Sequence, residues 1–219
     1  MKKIAGVLFA ITLFWPVCSQ AADLDPVLAE VLGQKIHASE LEPDPSRSSQ
    51  WASLPELKQK QALYTYKTRR LAADIMHPLV KVFSADRSIN ASQRDMEVYL
   101  AFYKKSGQKG LERDTAKTLE QIGIKIWAWK TMKALHEEYG GRSMTLGSMN
   151  MPVDALMKLA EAQRAKGSFE LLTEEAEQMF KVGMDPEARS STKVGLHFLS
   201  EEETRAYYKT APWEPVVKR

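Results

Sequence analysis

The feature that most constrains this chain is a stripe repeating every three or four positions along two long stretches. Between Leu57 and about Phe83 it runs through Leu63, Tyr66, Leu71, Ile75, Leu79 and Val82. Between about Leu111 and Tyr139 it runs through Leu119, Ile122, Ile126, Trp129, Met132, His136 and Tyr139. That period matches the turn of an α-helix with one face turned to a core. Two such stripes must be covered, so the expected class is mainly α: a helical bundle or elongated helical protein with a small N-terminal β-hairpin. Pro78 is expected to kink or end the first helix, and Gly140-Gly141 to close the second.

Shorter elements follow from local chemistry. Ala29 to Ile36 reads as strand, turn, strand, with Gly33 supplying a positive φ. Ser39-Glu40-Leu41 begins a short helix. Residues 42–53, with Pro43, Pro45 and four serines, read as a loop. Ser92 caps a helix through Lys105. Arg142 to Met151 is open between a short strand and an extended loop. Pro152 starts a helix to about Lys166. Thr173 opens another, with Glu174, Glu175 and Glu177 near its positive end. Asp185 to Lys193 reads as loop. Ser200 with Glu203 forms a capping box for a last helix to about Lys209. The tail from Ala211 to Pro215 is expected to be extended. Ser106-Gly107-Gln108-Lys109-Gly110 is the best linker. It divides 22–105 from 111–219, as two helical subdomains or within one elongated domain.

Residues 1–21 have the order of a secretory signal: Lys2-Lys3, an apolar run from Ile4 to Val17, then Ser19-Gln20-Ala21. The run is shorter than the ~20 residues that span a bilayer. Cleavage is expected after Ala21, with Ala22 a close second, which places the product in the periplasm. The single cysteine, Cys18, leaves with the signal. Acylation of Cys18 is disfavoured, because Trp15-Pro16-Val17 is bulky where small residues are wanted. The mature chain then has no disulfide, and packing alone must stabilise it. The full chain's formal net charge of +3 loses two lysines with the signal. Both signs are interspersed, with no basic stripe for nucleic acid. No second long apolar segment appears, so no transmembrane segment is expected in the mature form.

Val31-Leu32-Gly33-Gln34-Lys35-Ile36, then Ser39-Glu40-Leu41 and helices, resembles the N-terminal region of SurA-like periplasmic chaperones. Val31, Gly33, Ile36, Glu40 and Leu41 match that pattern, and Ser92 fits its later cap. Leu32 stands where Asn is usual, and His37 where Ser or Thr is usual. The resemblance covers about residues 26–105. It implies a helical region that cradles unfolded clients. Residues 106–219 read as helical and show no pattern of a prolyl-isomerase domain, so no isomerase activity is implied. Tyr139-Gly140-Gly141-Arg142 resembles exported proteobacterial proteins of unassigned function, which implies no activity.

Several catalytic signatures are missing. His136-Glu137-Glu138-Tyr139-Gly140 starts like a zinc-peptidase helix, but Gly140 stands where the second histidine belongs. His136 otherwise reads as a half-buried, partly positive ring at a helix end, where it suits the helix dipole. No nucleophile elbow, Walker loop or dinucleotide fingerprint is present, and no cofactor is implied. A carboxylate pair of the glycosidase kind has no sequence signature. Met144, Met149, Met151 and Met157 form a thioether cluster, read either as packing or as a copper-binding module. Trp129 lies on the long helix's stripe and reads as core. Trp127 is offset from it, so it packs a second layer or lines a groove. Trp51 and Trp213, in loop and tail, are contact candidates or dock onto their own domain. Arg142 either meets an acidic ligand or pairs with a surface acid.

The leading expectation is a chaperone-like or protein-binding module acting on unfolded or other envelope proteins. Its candidate binding residues are Trp51, Trp127, Arg142, His197 and Trp213, with no catalytic or metal residues assigned. The alternative is a periplasmic hydrolase with a site around residues 139–142 and His197. The signal at residues 1–21 predicts that protein recovered from a periplasmic extract begins at Ala22. Intact-mass measurement checks this; retained residues 1–21 would refute it.

Overall fold

A computed structural model describes residues 25–105, 116–146, 149–188 and 197–214. The expected export signal and the expected linker at 106–110 lie outside the described residues. Strand β1 (Val27–Val31) pairs antiparallel with β2 (Gln34–His37). The turn between them places Leu32 at φ 50° and Gly33 at φ 79°. Two successive positive φ values are those of a tight hairpin turn whose twist matches its strands. Glycine adopts this region freely, whereas leucine does so at a cost of about 1–2 kcal/mol. The Leu32 N–H donates to the Ser168 carbonyl at 2.8 Å, which helps hold the turn. A 3-10 turn, Ala38–Leu41, follows.

Helix α1 (Pro45–Trp51) occupies the stretch expected as a loop. Asp44 caps it by accepting from the Arg47 N–H at 3.0 Å, and Pro45 fits the first turn. Helix α2 (Glu56–Asp86) is 31 residues long, about 46 Å at ~1.5 Å per residue. Pro78 does not end it. The proline removes one hydrogen bond, but Leu79, Val80 and Phe83 beyond it are buried in the core and hold the last turns in place. Helix α3 (Gln93–Lys105) starts where Ser92 and Asp95 bond each other's backbone N–H groups. Helix α4 covers Ala116–Tyr139.

The open stretch after α4 is a hairpin, β3 (Ser143–Leu146) and β4 (Met149–Met151). Helix α5 (Val153–Ala165) leads to β5 (Phe169–Leu171), which pairs antiparallel with β1. The N-terminal hairpin is therefore part of a three-stranded sheet ordered β2-β1-β5. Helix α6 (Glu174–Met184) is capped by Thr173. Strand β6 (Phe198–Leu199) then adds to the second hairpin on its β3 side. Helix α7 (Glu201–Tyr208) is capped by the Ser200/Glu203 box. The described residues are mainly α-helical, as the periodicity requires.

Two apolar clusters organise the packing. The first gathers Leu71, Ile75, Leu79 and Phe83 of α2 with Val31, Leu135, Leu159 and Met179. It draws on residues before and after 106–110. The second gathers Tyr99, Ile122, Ile126, Trp129, Tyr208 and Trp213. Met132 packs against both.

Helix α6 lies on α2 at close range. A Cβ added at Gly183 would stand 2.2 Å from the Thr68 carbonyl oxygen and 2.9 Å from Ala72 Cβ. Only a residue without a side chain fits there. Replacing a helical glycine by alanine normally gains about 1 kcal/mol. Gly183→Ala is expected to reverse that sign and lose about 1–3 kcal/mol through overpacking. Gly123→Ala, in α4 with nothing within 4 Å of its new Cβ, is expected to show the ordinary gain. Urea midpoints of the two variants decide it: equal midpoints would refute the close crossing.

Candidate functional site

An apolar groove of about 330 Å³ opens between α2, α4, the end of β4, α5 and α6. Its floor is built from Ala72, Met76 and Val80 of α2 and Val153 of α5, all buried. Its walls are Trp127 and Met132 of α4, Met151 of β4, Leu156 of α5 and Met184 of α6. Arg69, Ala73 and His77 are exposed and stand one turn apart on α2. Four methionines from four elements thus meet in one place. Unbranched thioether chains reshape at little cost, which suits a surface that accepts differing apolar partners. Trp127 is fixed within this wall: its Nε1–H donates to Ser84 Oγ at 3.1 Å. It packs against the first cluster and lines the groove at once. Both roles open to its off-stripe position therefore coexist.

A second groove, about 1160 Å³, runs between α1 and the first half of α2. Trp51 lies here, half-buried and edge-on to Tyr66 at 5.9 Å between ring centroids. The Arg47 guanidinium sits 5.1 Å over the same Tyr66 ring. Arg69 borders both grooves, which makes them neighbours along α2.

Trp213 is placed elsewhere. It is 7% exposed, between Tyr99 at 5.0 Å and Trp129 at 5.3 Å. Its indole belongs to the second cluster and is not presented to a partner. The extended tail is corrected too, because the Glu214 N–H donates to the Ala211 carbonyl in a turn that folds the indole inward. In the same cluster burial pushes the Tyr99 hydroxyl up to about 12. Burial also pushes Tyr208 up, and its hydroxyl donates to the Asn150 carbonyl at 2.5 Å.

The stretch from Tyr139 to Arg142 has a structural reason. Gly140 and Gly141 have φ values of 65° and 92°. A Cβ at Gly141 would lie 2.5 Å from Asp154 Cβ. The Asp154 carboxylate accepts from the Arg142 backbone N–H at 2.7 Å, from Nε at 3.1 Å and from a terminal guanidinium nitrogen at 3.2 Å. Arg142 is therefore engaged with a surface acid. His197 is exposed, and its backbone carbonyl accepts from the Thr145 N–H at 2.9 Å. Neither Arg142 nor His197 lines the two grooves described above. His136 is buried, and desolvation pushes its ring toward the neutral form, so the charged ring expected at that helix end is not favoured.

Of the four clustered methionines, Met144 is fully buried, Met151 faces the apolar groove, and Met157 lines a separate hollow beside Phe169 and Phe180. Among the described residues no group of three or more His, Cys, Asp or Glu side chains is placed to hold a metal. No helix among them is long and apolar enough to cross a membrane. Compared with protein-family models, curated proteins and solved structures, the chain matches none.

The Asp154 site yields a pH prediction. Desolvation pushes the Asp154 carboxyl up, but hydrogen bonds and charge from Arg142 outweigh it and hold the pKa below its ordinary value. A depressed folded-state pKa contributes stability above the unfolded value, lost as pH falls through the folded one. Asp154→Asn is expected to cost about 1 kcal/mol at pH 7, a deficit that shrinks as pH drops below about 4. Urea unfolding at pH 7 and pH 3 checks it. A deficit of equal size at both would refute the role of the charge.

Proposed function

We propose that this protein is an exported, periplasmic binding module that holds exposed apolar segments of other envelope proteins in an elongated helical cradle. The groove of Met76, Met132, Met151, Met184 and Trp127 carries this reading. It is apolar, open to solvent, and lined by adaptable side chains around one fixed indole. Those are the properties of a surface that binds many sequences by shape and burial rather than by hydrogen-bond readout. The secretory pattern at residues 1–21 and the SurA-like hairpin and helices support the compartment and the chaperone-like class. Each anchored apolar side chain contributes about 1.5–3 kcal/mol before ordering costs. A single anchor gives weak, reversible binding, which suits a holding function.

Ala73 offers a clean test. It is exposed at the groove's edge on α2, so Ala73→Glu adds a charge there without opening the core. Purified protein is expected to suppress aggregation of a chemically unfolded outer-membrane protein, read by light scattering. Ala73→Glu should raise the amount needed about tenfold or more, a loss on the order of one buried anchor, with a urea midpoint close to the parent's. Suppression unchanged by Ala73→Glu would remove the groove from the mechanism. No suppression by the folded parent would remove the chaperone-like reading.

A further inference from the structure

The groove between α1 and α2 differs in charge from its apolar neighbour. Arg47, Lys58, Arg69 and Arg70 line it against a single carboxylate, Asp44. That carboxylate is already engaged: it accepts from Ser46 Oγ and from the Arg47 N–H, which hold its pKa below the ordinary range. Arg70 is paired with Asp74 at 2.7 Å. Among the described residues neither Lys58 nor Arg69 has an ion-pair partner. Between these cations lie Trp51, Leu54 and Tyr66, and Leu54 is exposed. The surface is therefore both cationic and aromatic, and it continues through Arg69 into the methionine-lined groove.

We infer that the two grooves act together on one class of partner: protein segments in which acidic residues flank an apolar anchor. This rests on the binding reading proposed above and specifies its substrate class. The apolar side chain enters beside Trp127 and Met184. The flanking carboxylates run along α2 toward Lys58 and Arg47, with Arg69 at the junction. Charge complementarity is the argument. A segment with basic flanks meets like charges in the same groove, and a neutral one forgoes the attraction. Exposed pairs are individually weak and screened by salt, so several must act together to give discrimination.

The test uses the full mature chain and three labelled peptides that share one Leu-Phe-Leu centre, flanked by Glu, Gln or Lys, with fluorescence anisotropy at low salt. The Glu peptide is expected to bind about five- to tenfold tighter than the Gln peptide, with the Lys peptide weakest. In about 0.5 M salt the gap should close to about twofold or less. The double variant Arg47→Glu with Lys58→Glu should abolish the preference for the Glu peptide over the Gln peptide, and a preference retained by the double variant overturns the inference. Equal binding of all three peptides overturns this inference and leaves the apolar-groove reading standing. Failure of all three to bind overturns both. Anionic vesicles or dextran sulfate displacing the Glu peptide without displacing the Gln peptide would show a general polyanion surface and overturn the peptide assignment. So would a stable dimer, seen by sedimentation velocity, that excludes the Glu peptide.

Discussion

The buried stripe of α2 is what the remaining elements are arranged on. Leu71, Ile75, Leu79 and Phe83 occupy the centre of the first cluster, and strand β1, helix α5 and helix α6 each contribute side chains to it. A single helix with one continuous apolar face can gather partners from distant parts of the chain, because each partner need only supply a few side chains at the right height. The stripe also explains why Pro78 is tolerated. Interior proline costs about 3 kcal/mol in an isolated helix, and burying Leu79 and Phe83 beyond it offsets that cost.

The candidate site depends on the same helix. The positions of α2 that turn inward make the core, and those one step around make the groove floor and rim. Arg69, Ala73 and His77 line the groove while Leu71, Ile75 and Leu79 are fully buried. The groove and the core thus use adjacent faces of one rod. The first half of α2 has no such burden. Glu56 to Ala62 is mostly exposed, with Leu57 at 67%, and α1 folds beside it to form the cationic groove. Burial through the second half of α2 lets its first half be given over to surface.

Much of this was legible in the residues. Helices α2 to α7 follow from periodicity, from the caps Ser92, Thr173 and Ser200, and from the Gly140-Gly141 stop. What was not legible has physical reasons. Strand β5 is three residues long, too short for alternation to register, and exists because β1 offers an edge. Helix α1 was hidden by its serines, although Asp44-Pro45 carried the start signal. The methionine groove could not be read at all, since its walls come from α2, α4, β4, α5 and α6. Only the offset of Trp127 from the stripe pointed to it. Tail position alone leaves Trp213 open between a contact and docking onto its own domain; Tyr99 and Trp129 on α3 and α4 enclose it, which is the docked arrangement.

Gly183 and Gly141 share a property that bears on descent. At each, the space where a Cβ would go is taken: by the Thr68 carbonyl and Ala72 at Gly183, and by Asp154 at Gly141. Exposed side chains are not held by packing, and exchanging a groove methionine for an apolar side chain of similar volume costs less than about 1.5 kcal/mol of stability. These two glycines admit no such exchange. A chain that shares this ancestry, however far its exterior has diverged, must keep glycine at both or rebuild the crossing of α6 on α2 and the exit from α4. The pair is therefore a more durable mark of kinship than any side chain lining the grooves.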